Sequence, residues 1–242
     1  MRKRVRIFAG PNGSGKSTIK SIVEDRVLLG TYVNADEIKV LLEKTHMLDF
    51  SAYGIIVSPN HLMNSLKHST WTDIIDDVGS LLKKIYFRDN RLVIDKSIII
   101  DDYFVSFMAS YLWERLLENS NKFTVETVMS HPSKLHFIER AKSQGFKVYL
   151  YFVSLASPAL NKCRVQTRVQ QGGHDVDEEK IEKRYYRTMD NLLPALRLVD
   201  SAYLFDNSAG EPNLFAVKED GVLTVQGDYA PKWFNTYFID KL

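Results

Sequence analysis

Arg4-Val-Arg-Ile-Phe-Ala-Gly-Pro-Asn-Gly-Ser-Gly-Lys-Ser-Thr18 is a β-prone run broken by three glycines and followed by helix-forming sequence. Val5 to Ala9 is apolar, and residues 16–28 carry Ile19, Ile22, Val23 and Val27 on one helical face. Between them, Gly10, Gly15, Lys16 and Ser17 satisfy G-x-x-x-x-G-K-[ST]. Strand, glycine loop and helix in that order are what a phosphate-binding turn requires. Gly10, Gly13 and Gly15 allow positive φ and close backbone approach to a phosphate. The loop amides and the helix N-terminus then surround the anion. Lys16 is a point charge for the β- and γ-phosphates of ATP, and Ser17 offers an oxygen to Mg²⁺. The expected ATP and phosphate site is therefore Gly10, Pro11, Asn12, Gly13, Ser14, Gly15, Lys16, Ser17 and Thr18.

The rest of the 242 residues bound the answer. The chain is 45% hydrophobic and 26% charged, an ordinary globular composition that excludes disorder and low-complexity architecture. Thirty-two Lys and Arg against 30 Asp and Glu leave a net charge of +2, which argues against a dedicated nucleic-acid coat. A single cysteine, Cys163, excludes an internal disulfide framework and a multi-thiolate zinc site. The basic N-terminus leads into too short an apolar run for a signal-peptide core, and no run reaches the length of a membrane span. The expectation is a cytoplasmic protein.

The nucleotide class follows from what accompanies the loop. A GTPase needs Asn-Lys-x-Asp, and neither Asn121-Lys-Phe-Thr124 nor Asn161-Lys-Cys-Arg164 supplies it. An ATPase reading has one feature: Ser97-Ile-Ile-Ile-Asp-Asp102 resembles an apolar strand ending in acids that could hold Mg²⁺. The competing reading, which we favour, makes Asp101 or Asp102 the cap of a helix over residues 103–117. A kinase needs a carboxylate near the γ-phosphate to accept the proton of a substrate hydroxyl. Asp36, in Tyr32-Val-Asn-Ala-Asp-Glu-Ile38, lies at a strand-to-helix junction, where α/β folds place ligands. Glu126, in Lys122-Phe-Thr-Val-Glu-Thr-Val128, ends another β-prone run. A helix cap at Asp36 and a purely structural acid at Glu126 are the plainer alternatives.

Five stretches together resemble the zeta-toxin family of P-loop kinases. They are Ile7–Thr18, Val33–Ile38, Val125–Ser130, Gln170-Gln-Gly-Gly-His-Asp-Val176 with Lys183-Arg-Tyr-Tyr-Arg187, and Ala202-Tyr-Leu-Phe-Asp-Asn-Ser208. The likeness covers residues 4–44 and about 103–208, and it is closest to stand-alone members. It implies transfer of a phosphoryl group from ATP, with Mg²⁺, to a hydroxyl of a small acceptor. The best-known acceptors of the family are UDP-activated amino sugars, and an antitoxin protein is an implied partner. By that similarity Asp36 is the general base, with Glu37 beside it, and Glu126 and Thr127 hold the acceptor.

Arg164 and Arg168 are four apart, and Arg184 and Arg187 three apart, so each pair shares a helix face. Gly172-Gly173-His174 between them reads as a hinge, which makes residues 164–187 a lid whose arginines close on the transferring phosphoryl. Arg168 and Arg184 are the catalytic candidates, Arg187 a phosphate contact and His174 a substrate contact. The plainer reading is a solvated face in which the arginines pair with Glu178, Glu179 and Glu182. Asn207, after the last core strand, is placed near the adenine base.

The fold class expected is a three-layer α/β P-loop kinase, one domain over residues 1–242. Its mostly parallel sheet is built from about 4–9, 32–35, 122–126, 146–153 and 202–206. An insertion spans 45–100, with helical spacing over 72–85 and a hairpin around Asp89-Asn90, and a C-terminal hairpin spans about 213–226. Trp233, Phe234, Tyr237 and Phe238 are expected to dock on the core. Two other functions compete: an ATPase or nucleotide-binding regulator, and a nucleic-acid end kinase using Lys67, Lys83, Lys84, Arg88 and Arg91.

Overall fold

A computed structural model describes residues 3–75, 77–173 and 175–242. The chain divides into two compact units, one of Met1–Gly30 with Asn121–Leu242 and one of Thr31–Ser120. The first unit opens with β1 (Arg4–Ala9) and α1 (Lys16–Glu24). The second unit contains β2 (Thr31–Asn34), α2 (Ala35–Thr45), β3 (Met47–Asp49), α3 (Pro59–Lys67), α4 (Val78–Leu82), β4 (Ile85–Arg88), β5 (Arg91–Ile94) and α5 (Asp102–Asn119). The chain then returns to the first unit with β6 (Lys122–Thr127), α6 (Ser133–Ser143), β7 (Lys147–Ser154), α7 (Pro158–Gln170), α8 (Glu178–Asp190), α9 (Leu192–Leu198), β8 (Ser201–Asp206), β9 (Asn213–Glu219), β10 (Val222–Val225) and α10 (Lys232–Tyr237).

In the first unit the strands run in the order β10-β9-β8-β7-β1-β6. β6, β1, β7 and β8 are mutually parallel, and β9 and β10 add an antiparallel hairpin. Strands buried on both faces need continuous apolar sequence, and β7 (Lys-Val-Tyr-Leu-Tyr-Phe-Val-Ser) is buried over its last five residues. Alternation along β1 sends Phe8 to one face and Ile7 to the other. Phe8 stacks on Tyr151 at 4.8 Å, Tyr151 on Tyr203 at 5.1 Å, and Ile19 and Val23 of α1 join this cluster. On the opposite face Phe123 meets Phe137 of α6, and Phe152 meets Trp233 of α10. Helices therefore cover both sides of the sheet, the three layers expected. Trp233, Phe234 and Phe238 are buried against this core as anticipated.

The second unit has a small sheet in the order β3-β5-β4. The β4–β5 turn is a two-residue loop with φ 49° at Asp89 and 59° at Asn90, both left-handed, the mirror-image turn that matches strand twist. Asp220 (49°) and Gly221 (84°) repeat that chemistry between β9 and β10. Asn90 also donates to Ile55 O (2.8 Å) and Ser51 Oγ (2.9 Å) and accepts from Val57 N (2.9 Å).

Two expectations are corrected, at residues 72–85 and at the end of α1, and the favoured reading of residues 97–102 holds. Residues 97–100 form no strand. Asp101 caps α5, accepting from Phe104 N at 2.7 Å, and its second oxygen takes the Trp71 indole N–H at 3.2 Å. The apolar side chains Ile98 and Ile100 are buried in an irregular segment, because β-propensity is realised only where a partner strand is present. The helical spacing over 72–85 yields only a short 3₁₀ turn at Thr72–Ile74 and α4, since Asp77 caps a new helix with a bond from Ser80 N at 2.9 Å. α1 stops at Glu24 rather than near residue 28.

Candidate active site

β1, β6, β7 and β8 end together: Ala9 lies opposite Thr127 and Phe152, and Ser154 opposite Asp206. The chain leaving β1 forms the glycine loop. Gly10, Gly13 and Gly15 have φ of 150°, 74° and 97°. A Cβ at these positions would come within 2.0 Å of Val153 O, 2.8 Å of Asn161 O and 2.3 Å of Asn207 Nδ2, so the three glycines are required by packing as well as by φ. Lys16 Nζ donates to Gly10 O (3.0 Å) and Pro11 O (3.1 Å), folding its charge over the loop.

α1 begins at Lys16 with no side-chain cap. Helices α2, α3, α5, α7 and α8 are capped by Asn34, Ser58, Asp101, Ser157 and Asp177. The first amides of a helix have no intrahelical partner, so α1 presents donors and the positive end of its dipole at the mouth of the loop. Ser17 and Thr18 are exposed in its first turn. This arrangement fits a triphosphate, and the Ser17 hydroxyl, a hard oxygen donor, fits Mg²⁺. Among the described residues no group of three or more His, Cys, Asp or Glu could hold a metal ion.

Asn207 buttresses this loop. It is 3% exposed, donates its backbone N–H to Ser154 O (3.0 Å) and Nδ2 to Ser14 O (2.9 Å), and accepts from Arg164 Nη2 on its carbonyl. Asn161 of α7 donates to Asn12 O from behind. The buried oxygens Asn12 Oδ1, Ser14 Oγ, Asn161 Oδ1 and Asn207 Oδ1 have no protein partner among the described residues. Residue order had suggested neither Asn161 nor the role of Asn207 as a loop support. An asparagine four residues into a helix carries no local signal, and its value here comes from the docking of α7 on Gly13.

Glu126 and Thr127 close β6 beside this loop, with Glu126 opposite Phe8 and only 7% exposed. Asp36 and Glu37 belong to the second unit, where both are exposed in the first turn of α2. Asn34 Oδ1 takes Asp36 N at 2.9 Å, so Asn34 is the cap and the Asp36 carboxylate is not used for that purpose.

The arginine helices pack on each other through Lys162–Glu182 (2.6 Å) and Gln166–Glu178 (2.7 Å), while Glu179 pairs with Lys183 (3.2 Å). The hydrogen bond and charge of Glu182 hold the Lys162 ammonium above its usual pKa. Among the described residues the acids of α8 are thus matched with two lysines and a glutamine. Arg184 is half-buried and Arg187 exposed. The Arg168 stem lies under Gly173, where a Cβ would come 2.5 Å from its Cγ. Gly172 (φ 84°) and Gly173 close α7 through Gly172 N to Val169 O and Gly173 N to Arg168 O, both 2.9 Å, a glycine C-cap. The pair is therefore a hydrogen-bonded helix terminus. His174 lies outside the described residues. A cleft of about 450 Å³ between α7 and α8 is lined by Val165, Val169, Val176 and Ile181 among others, and by no residue of the phosphate loop.

Comparison with known proteins locates this architecture. No family model matches the sequence. An uncharacterised protein of Haemophilus influenzae is 22% identical over 185 residues, 76% of this chain and 94% of that protein. A chain of the AvrRxo1-ORF1:AvrRxo1-ORF2 complex solved with sulphate ions superposes with a TM-score of 0.55 at 14% identity, covering 93% of this chain and 61% of that one. The same complex solved with ATP gives 0.53 at 16% identity, with 99% and 63% covered. A chain of the PezAT chromosomal toxin–antitoxin system of Streptococcus pneumoniae gives 0.50 at 12% identity, with 98% and 79% covered. This chain spans about three fifths of the AvrRxo1 chains it matches. These likenesses show the fold that this chain shares with them, a mostly parallel α/β sheet flanked by helices. No described helix is long and apolar enough to cross a membrane.

Proposed function

We propose that this protein is an ATP-dependent phosphotransferase that moves the γ-phosphoryl group to a hydroxyl of a small acceptor, with a UDP-activated amino sugar as the leading candidate. The reading is carried by the uncapped N-terminus of α1 beneath a loop whose three glycines admit no Cβ. The AvrRxo1 complex solved with ATP supports the choice of nucleotide.

In this reading the loop amides and Lys16 hold the β- and γ-phosphates, and Lys16 exchanges its two carbonyl partners for phosphate oxygens. Ser17 ligates Mg²⁺, which neutralises phosphate charge when bound. Asp36 accepts the proton of the acceptor hydroxyl as the oxygen attacks phosphorus in line. Glu126 and Thr127 orient the acceptor. Arg168, Arg184 and Arg187 on α7 and α8 balance charge on the phosphoryl group in flight. His174 is retained as an acceptor contact. The likeness to a chain of the PezAT toxin–antitoxin system extends the proposal to an antitoxin partner. The ATPase alternative is disfavoured because Asp101 is engaged by Phe104 and Trp71 and Asp102 by Lys39 at 2.8 Å.

The test is a transfer assay with γ-labelled ATP against a panel of UDP-sugars, nucleotides, dinucleotides and oligonucleotides, read by mass spectrometry. A phosphorylated UDP-sugar supports the proposal. Hydrolysis that is indifferent to every acceptor, or labelling of oligonucleotide ends alone, contradicts it.

A further inference from the structure

The segment that follows Glu126 is held in an unusual backbone conformation by residues of the arginine helix. Met129 is buried at φ 60°, a left-handed conformation that an L side chain seldom adopts. Three hydrogen bonds hold it. Met129 N donates to Thr127 Oγ1 at 3.0 Å, Thr188 Oγ1 donates to Val128 O at 2.8 Å, and Asn191 Nδ2 donates to Met129 O at 2.9 Å. Thr188 is fully buried on α8. A helical threonine ordinarily returns its proton to the carbonyl one turn back. Here Arg184 O lies 2.7 Å away, but the proton is shared with Val128 O of a different segment. Asn191 adds the second tie from the α8–α9 junction, where its own amide closes α8 on Arg187 O at 3.2 Å. Arg184 is thus one turn from the tie, Arg187 is its neighbour, and Glu126 stands two residues before Val128 on the other side.

We propose that Thr188 and Asn191 are positioning residues that latch the acceptor-side segment, residues 126–130, to the helix bearing Arg184 and Arg187. The inference rests on the reading that Glu126 and Thr127 orient the acceptor. The latch sets the distance between the acceptor carboxylate and the phosphoryl-facing arginines, because the strand end and the helix share one hydrogen-bonded joint. Neither residue touches substrate. Their effect reaches the reaction through the carbonyls of Val128 and Met129, which fix how the chain leaves β6 just after Glu126 and Thr127.

The test uses the full chain carrying Thr188→Val, Thr188→Ser or Asn191→Ala, with UDP-N-acetylglucosamine as the acceptor probe. Thr188→Val keeps the volume and removes the hydroxyl, and Thr188→Ser keeps the hydroxyl. Amide exchange in residues 126–130 is expected to speed about tenfold in Thr188→Val and Asn191→Ala, the factor carried by one ordinary net hydrogen bond. The acceptor KM should rise by a similar factor while the ATP KM stays within about twofold, and Thr188→Ser should behave as wild type. Unchanged exchange in both disruptive variants overturns the latch. So does a parallel rise of both KM values that Thr188→Ser fails to rescue. Should Thr188→Val not fold, Asn191→Ala answers the same question. A wild-type protein that transfers nothing to the probe counts against the acceptor reading alone, and the exchange comparison still decides the latch.

Discussion

The two units use their polar residues differently. In the first, Asn207 and Asn161 tie two different elements to the backbone of one loop, Arg164 braces Asn207 from α7, and Lys16 folds back over the loop it belongs to. In the second, Asn34, Asp77 and Asp101 cap helices and Asn90 ties a hairpin to its neighbouring loop. The first pattern fixes a binding surface by long-range ties, so a change at one element is felt by the whole loop. The second caps helices and braces α5 through Trp71 and Lys39, and it leaves Asp36 exposed at the start of α2.

The comparison can be broken most severely at Lys16. Lys16→Ala should reduce phosphoryl transfer by at least about 10³-fold, equivalent to about 4 kcal/mol of barrier, in a steady-state assay with ATP. Circular dichroism should show an unchanged fold. Asp36→Asn in the second unit should lower turnover by about 10²- to 10⁴-fold, the range for removing a general base, with ATP affinity unaltered. Wild-type turnover in Asp36→Asn would remove the base assignment.

Two glycines sharpen the contrast in stability. Gly13 (φ 74°) has Asn161 O where its Cβ would be, whereas Gly54 (φ 69°) has open space. Gly54→Ala should cost about 1–2 kcal/mol, the left-handed strain alone. Gly13→Ala should cost that plus about 1–3 kcal/mol of overpacking and should weaken ATP binding as well. Urea unfolding of the two variants measures the difference, and equal losses would contradict the account of the loop.

The smallest effect is a pH dependence in the second unit. The hydrogen bond from Arg91 to Asp49 at 2.8 Å, with the amide of Ser51, holds the Asp49 carboxyl below its usual pKa. Its folded pKa is below the unfolded value of about 3.9. Its contribution is therefore fully present above that value and is lost as the pH falls through the folded pKa. Asp49→Asn should lower the urea midpoint slightly at pH 7, and its difference from wild type should shrink as the pH is lowered below about 3.9. A difference that is constant with pH would show that the ion pair is idle.

Much of the first unit was legible in residue order. The strands over 4–9, 122–126, 146–153 and 202–206 were placed within a residue or two of β1, β6, β7 and β8, because parallel strands buried on both faces leave continuous apolar runs. The glycine loop was readable because φ and close approach select glycine at particular positions. Both hairpins were readable from Asp-Asn and Asp-Gly, which select the left-handed turn. Residues 97–100 left two readings open because Ile-Ile-Ile has the composition of a strand whether or not a partner is available. The roles of Asn161, Thr188, Asn191 and Asn207 were not readable. Each acts on a backbone carbonyl brought to it by tertiary docking, and such an acceptor leaves no mark on neighbouring sequence. The carboxylates of α8 illustrate the same limit: helical spacing places them beside arginines, but α7 supplies Lys162 and Gln166 as their partners.

The most direct measurement is calorimetric titration of ATP with Mg²⁺ into the wild-type and Lys16→Ala proteins. The account predicts saturable single-site binding to wild type and an affinity lower by at least about a hundredfold, near 3 kcal/mol, in the variant. Equal affinities, or no binding to either protein, would contradict the claim that this glycine loop and the start of α1 form a triphosphate site.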